Sequence, residues 1–198
     1  MDDAALITAL ASASALGGLL AYAFFRPDFA FWPPPRRDGW RFRLSFGLFR
    51  AFCGATILFA VLDFDSMVWE HWSRIAVGLP LMLAFFWITL RGYLYLGLDN
   101  TYGARDGLVT GGLYAYSRNP QYVSSVLATV GLAITAGSPL TFLLAAVLLA
   151  LYTLFALNEE RWLRASYGQS FIEYMRSAPR FLDARSFLRA KRDLQRAL

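Results

Sequence analysis

The chain has 198 residues, of which 57% are hydrophobic and 17% charged, and a formal net charge of +5, with a mean hydropathy of +0.41. Soluble domains run nearer roughly 45–50% apolar and about 25% charged, and here the apolar excess falls in long blocks. That excludes disorder, a coiled coil and a disulfide-stapled secreted domain, and it leaves an integral membrane bundle.

Leu6 to Phe25 holds no charge, and at about 1.5 Å per residue it covers the roughly 30 Å hydrocarbon core. Met1-Asp2-Asp3 lacks the positive start of a signal peptide. Leu44 to Leu62 is the second predicted span, interrupted by Arg50. Ile75 to about Leu98 is the third, with Arg91 near its end. Tyr122–Ala136 and Pro139–Leu157 are the fourth and fifth, and Gly137-Ser138-Pro139 makes them a tight hairpin. The predicted fold is therefore all-α: about five transmembrane helices, followed by cytoplasmic amphipathic C-terminal helices.

Charge placement gives an expected orientation. The 26–43 connection holds Arg26, Arg36, Arg37, Arg41 and Arg43; the 99–121 segment holds Arg105 and Arg118; the tail from Asn158 holds a further run of arginines. The 63–74 connection is acidic, with Asp63, Asp65 and Glu70 against Arg74. An odd number of spans puts all three basic segments on one side, which the positive-inside rule makes cytoplasmic, with the N-terminus outside. The expected location is an inner membrane of bacterial type. Anionic lipid headgroups explain the basic balance, so nucleic-acid binding is not needed. Arg50 either snorkels to the cytoplasmic surface or faces a polar cavity; Arg50 and Arg91 are both expected to avoid lipid.

Cys53 is the single cysteine and His71 the single histidine. No intramolecular disulfide and no Cys/His zinc cluster can form, and no metal ligands are assigned. A Ser–His–Asp triad would need His71, which lies alone in the acidic connection.

The chemistry-bearing residues cluster between Asp106 and Leu182. First comes a loop with Gly111-Gly112, which permits a close turn, and then Arg118-Asn119-Pro120-Gln121-Tyr122, a helix start. After the hairpin come Glu159-Glu160, then Leu163, Tyr167, Phe171 and Tyr174 as an amphipathic stripe broken by Gly168, then Pro179-Arg180-Phe181-Leu182. Glu160 and Arg164 stand at i,i+4. Each piece alone also reads as an ordinary helix connection or a solvated helix end.

In this order and spacing, Arg-Asn-Pro-x-Tyr, a hairpin, Glu-Glu-x-x-Leu and Pro-Arg-Phe-Leu resemble the C-terminal region of the isoprenylcysteine carboxyl methyltransferase and phospholipid methyltransferase superfamily. The resemblance covers residues 99–182. The usual pattern is Arg-His-Pro-x-Tyr-x-Gly; here Asn119 replaces His, Ser124 replaces Gly, and Asp183 stands where Pro often follows Arg-Phe-Leu. The resemblance implies an integral membrane enzyme that uses S-adenosylmethionine. It implies a pocket lined by Gly107, Leu108, Val109 and Tyr114, with Asn119, Pro120, Gln121 and Tyr122 on the adenosine or methionine part. Glu159 would bind the cofactor's ammonium or ribose, Glu160 would assist or brace the helix, and Arg118 would pair with the cofactor's carboxylate or with an acidic acceptor. Arg118, Glu159, Glu160 and Tyr114 are the candidate catalytic residues, with Glu159, Glu160, Tyr114 or water as candidate bases.

The expected division is 1–98 as N-terminal spans, 99–182 as the catalytic region and 183–198 as a basic tail. The expected partners are membrane lipids and a lipophilic acceptor entering from the bilayer, most simply a phospholipid headgroup amine. An isoprenylcysteine-type carboxylate acceptor, a nicotinamide-dependent reductase of sterol-reductase type and a non-catalytic scaffold are the rival readings.

Overall fold

The structure, a computed structural model, describes residues 2–66, 71–97 and 107–197. Glu70, Arg105 and Asp106, which enter the charge and motif readings above, lie outside the described residues, as does the side chain of His71. Among the described residues there are helices and turns but no strand. The helices are α1 (Asp2–Phe25), α2 (Trp40–Leu62), α3 (His71–Leu96), α4 (Pro120–Ala136), α5 (Pro139–Tyr167), α6 (Gln169–Ser177) and α7 (Ala184–Ala197), with one 3-10 turn at Gly112–Ala115. Four of them, α1, α2, α3 from Trp72, and α5, are long and apolar enough to cross a membrane. α4 has 17 residues, at the short end of the spanning range of about 17–25. The chain is an integral membrane protein with the expected all-helical fold.

The α4–α5 hairpin forms as its residues dictate. Gly137 adopts the left-handed conformation at φ 60°, and Ser138 caps α5 by accepting from the Thr141 N–H. Pro139 then opens the helix, where its missing N–H is not needed. α1, α3 and α5 run toward the basic end of the bundle, and α2 and α4 run away from it. At the opposite end the buried Arg74 pairs with Asp65 at 2.8 Å and donates to the Ala136 carbonyl. The one arginine of the acidic connection is thus a clamp inside the bundle.

The main core lies among α1, α2 and α5. Ala5, Ala9, Ala13, Leu16 and Leu20 recur along one face of α1 and pack with Phe52 and Phe59 of α2 and Leu144, Leu148 and Leu151 of α5. Small residues let the backbones approach where lipid supplies no hydrophobic drive. α3 stands apart: it packs against α4 and makes almost no contact with α2. The α3–α4 contact is close because a Cβ on Gly78 would lie 2.5 Å from the Thr135 amide nitrogen, and one on Gly131 would lie 2.5 Å from that of Met82.

Arg50 and Arg91 stand where charges interrupt the predicted spans. Both side chains lie on the outer surface of the bundle. Arg50 rests over the Phe46 ring, 5.7 Å from its centroid, and so leans toward the basic end. That is the direction in which helical side chains tilt on a span whose N-terminus is at the basic end. Arg91 is five residues from the end of α3, about 7.5 Å by helix rise, within reach of the interface.

Candidate functional site

The site is built at the basic end, where four segments converge. α5 does not stop at Leu157, where the predicted fifth span ends. It continues to Tyr167 and carries Asn158, Glu159 and Glu160 within the helix, so both carboxylates sit on a rigid rod. Asn158 donates to the Leu20 carbonyl, and Arg161 donates to the last carbonyls of α1, at Ala23 and Phe24. These bonds satisfy groups that the end of α1 would leave open.

Glu160 is enclosed by arginines. Arg118 Nη2 lies 2.6 Å from Oε1, and Arg180 donates through Nε and Nη2 at 2.8 Å to each oxygen. Arg118 also donates to the Ala178 and Met175 carbonyls, and its amide donates to the Pro179 carbonyl. Glu160 and Arg118 are 4–8% exposed. The Glu160 hydrogen bonds to these arginines hold its carboxyl below the ordinary glutamate range against the pull of burial. Glu160 and Arg118 therefore lock the loop, α5 and the Pro179-Arg180 segment together, with their charges spent on each other. Arg164 is only a distant partner at 3.9 Å.

Glu159 is placed differently. Its carboxylate accepts from the Tyr122 hydroxyl at 3.1 Å, and among the described residues it makes no ion pair. The buried Trp32 indole N–H lies next to it without a hydrogen bond of regular geometry. Glu159 is half-buried and lines two cavities.

The first cavity opens at the basic end and holds about 770 Å³ of open space, mouth included. Gly107, Leu108, Val109, Tyr114, Arg118, Asn119, Gln121, Glu159 and Glu160 line it, with the aromatic faces of Trp162, Tyr167, Phe171 and Tyr174. Thus all the sequence-predicted site residues except Pro120 and Tyr122 meet in one place. Pro120 is the first residue of α4, and Tyr122 lines the second cavity. The glycine pair behaves as its residue type requires. Gly112 has φ 56°, and a Cβ there would lie 2.9 Å from the Tyr95 ring. This lets Tyr114 stack on Tyr95 and pass beneath the cavity. Tyr114 donates to Gln121 Oε1 at 2.7 Å, and its carbonyl accepts from Tyr174. Burial pushes the Tyr114 phenol well above its ordinary value. It is a neutral donor near pH 7, which argues against Tyr114 as a base.

The second cavity, about 530 Å³ of open space, lies within the spans between α2, α3, α4 and α5. Phe46, Phe49, Tyr93, Tyr122, Tyr152 and Phe155 make it aromatic, and Tyr122 stacks on Tyr152 at 4.2 Å. Trp32, Leu96, Gln121 and Glu159 belong to both cavities and form the wall between them. Among the described residues, no basic side chain lines this second cavity.

The two departures from the family pattern are accommodated. Asn119 donates from Nδ2 to the Arg180 carbonyl, and Ser124 accepts from Thr89 while donating to the Pro120 carbonyl. Trp32 and Pro33 were missed by the sequence reading, which saw only arginines in that connection. The aromatic-proline run Trp32-Pro33-Pro34-Pro35 was the available signal. The Pro179-Arg180-Phe181-Leu182 motif carries no local sign that Arg180 pairs with Glu160.

Residues 73–170 match the model of the phospholipid methyltransferase family. This segment belongs to that family, within the isoprenylcysteine and phospholipid methyltransferase superfamily. The chain therefore carries a membrane methyltransferase domain. The match begins in α3, ahead of the 99–182 resemblance, and it includes every predicted site residue. No curated protein and no solved structure matches the chain.

Proposed function

We propose that this protein transfers the methyl group of S-adenosylmethionine to the headgroup amine of a membrane phospholipid. The observation that carries the reading is the wall shared by the two cavities, with Glu159 on it. The cavity at the basic end takes the cofactor. The aromatic cavity within the spans takes an acceptor from the bilayer. Under the positive-inside rule the basic end is cytoplasmic and the N-terminus is outside.

The residues present fit the cofactor. Glu159 makes no ion pair among the described residues, and Trp162, Tyr167, Phe171 and Tyr174 offer aromatic faces to a cationic ligand. When bound, S-adenosylmethionine supplies an electrophilic methyl group on a sulfonium. Everything else is alignment and exclusion of water. Gly107, Leu108 and Val109 offer a floor, Tyr114 fixes Gln121 at the boundary, and the Glu160–Arg118–Arg180 cluster keeps the floor in place. Glu159 is the candidate base for the proton that an ammonium acceptor must lose, with the Tyr122 hydroxyl beside it.

The lining of the second cavity favours an amine over a prenylcysteine carboxylate. A carboxylate would meet Glu159 with no cation in the wall among the described residues, whereas an amine meets an anion and aromatic faces. A dinucleotide would need cations for its phosphates, and Arg118, the arginine lining the first cavity, is committed to Glu160. Thermal unfolding in detergent tests the reading. S-adenosylhomocysteine raises the transition temperature and NADPH does not; the reverse result would favour a reductase.

A further inference from the structure

We propose that Trp32 is a positioning residue of the cofactor site: its indole N–H, together with the Tyr122 hydroxyl, holds the Glu159 carboxylate in one orientation. The assignment rests on the reading of Glu159 as a cofactor contact. Trp32 lies in the connection between α1 and α2, ahead of residues 73–170. That connection therefore supplies part of the site from outside the segment that matches the family.

The local sequence explains how the connection enters the bundle. In Phe31-Trp32-Pro33-Pro34-Pro35 the prolines carry no N–H, so the segment brings few backbone donors that need partners. Phe31, Pro33 and Pro34 are buried and Trp32 is half-buried. The Trp32 ring meets Phe155 of α5 edge-on, with centroids 4.7 Å apart, and tilts against Phe46 of α2 at 5.5 Å. Contacts on two helices fix the ring, and with it the direction of its N–H. Phe155 stands four residues before Glu159, on the same face of α5. The contact that anchors the ring thus also sets its height against the carboxylate.

The N–H itself is buried and, among the described residues, has no hydrogen-bond partner of regular geometry. Indole offers a donor and no acceptor, and a buried donor left unmet is costly. Its neighbour is the Glu159 carboxylate, and Trp32 and Glu159 line both cavities together. A carboxylate can accept several hydrogen bonds, and Tyr122 supplies one, to Oε2. Trp32 supplies another after a small adjustment of the glutamate, because the ring is held on two sides and the glutamate side chain is the freer of the two. Donors from α4 and from the α1–α2 connection then fix the carboxylate and leave its remaining acceptor positions to the ligand's ammonium or ribose.

The test is a double-mutant cycle, read by calorimetry with S-adenosylhomocysteine on the full chain in detergent. Trp32→Phe keeps an aromatic ring and loses the N–H. Benzothienylalanine at position 32 replaces the N–H by sulfur in a ring of nearly the same shape, and so separates the hydrogen bond from a packing defect. Each change lowers affinity about five- to tenfold in the wild-type background, the scale of one hydrogen bond. In Glu159→Ala, itself weakened about ten- to a hundredfold, each change lowers affinity by less than about twofold, because the carboxylate that the indole positions is gone. Unaltered affinity with benzothienylalanine overturns the assignment. So does a fall of equal size in the Glu159→Ala background, since the indole would then act on the ligand or on the fold and not through Glu159. Glu159→Ala protein that binds as tightly as wild type contradicts the reading of Glu159 itself, and this assignment falls with it.

Discussion

The Tyr122 hydroxyl donates to the Glu159 carboxylate across 3.1 Å, tying the first turn of α4 to α5 at the wall between the two cavities. Tyr122 is buried and stacked on Tyr152, so the donor is fixed. Among the described residues Glu159 makes no ion pair, in contrast with its neighbour Glu160. Adjacent carboxylates on one helix thus have opposite tasks, one open to a ligand and one locked into the fold.

Glu159→Gln should weaken S-adenosylhomocysteine binding by about ten- to a hundredfold, the scale of one charge-assisted hydrogen bond to the ligand's ammonium or ribose. Glu173→Gln should change it by less than about twofold, because Glu173 is exposed, lies outside the cavity lining and accepts a hydrogen bond from Gln169. Calorimetry on both variants checks this. Unaltered binding in Glu159→Gln with a loss in Glu173→Gln would show that the ligand lies elsewhere.

Glu160→Ala should act on stability. It strands Arg118 and Arg180, of which Arg118 is nearly fully buried, and breaking one side of a buried pair costs about 3–5 kcal/mol. Arg164→Ala should shift stability by less than about 1 kcal/mol, since that pair is exposed and long. Thermal denaturation in detergent gives the comparison; equal transition temperatures for the two variants would remove the clamp from the fold.

Tyr114→Phe should lower affinity or activity only modestly and leave the shape of the pH–rate profile between roughly pH 6 and 9 unchanged. The phenol's pKa is raised by burial, so it stays protonated throughout that range and contributes no basic limb. Loss of a limb from the profile would instead identify the phenol as the group that titrates.

Gly131→Ala should destabilise the protein by about 1–3 kcal/mol, because the new Cβ would sit 2.5 Å from the Met82 amide nitrogen and 3.0 Å from the Gly78 carbonyl. Gly54→Ala should be neutral or slightly stabilising: a Cβ there meets nothing within 4 Å, and alanine is the better helix former. Equal stability of the two variants would contradict the close α3–α4 crossing.

The spans, the hairpin and the break at Gly168 were legible because each has a local cause: uninterrupted apolar length, Gly-Ser-Pro, and a glycine with positive φ. Seven of the nine residues expected at the cofactor line one cavity, because loop and helix end are both set by short-range signals. What was not legible is long-range pairing. Nothing in the local sequence says that Arg180 closes on Glu160, that Arg161 caps α1, or that Trp32 crosses to Phe155 at 4.7 Å. The basic residues were read as a topological signal, and several of them are also internal hydrogen-bond donors. Which faces carry Arg50 and Arg91 is not legible either, because the period of a span fixes its apolar face only weakly when lipid surrounds it.

Methyl transfer itself is the most direct measurement. Purified protein in nanodiscs containing phosphatidylethanolamine is incubated with methyl-labelled S-adenosylmethionine, and the lipids are extracted and separated. Label should appear in N-methylated phosphatidylethanolamine with wild-type protein and fall by at least tenfold with Glu159→Gln. Label confined to other molecules, or transfer to lipid that does not depend on Glu159, would contradict a headgroup amine held at the wall between the two cavities.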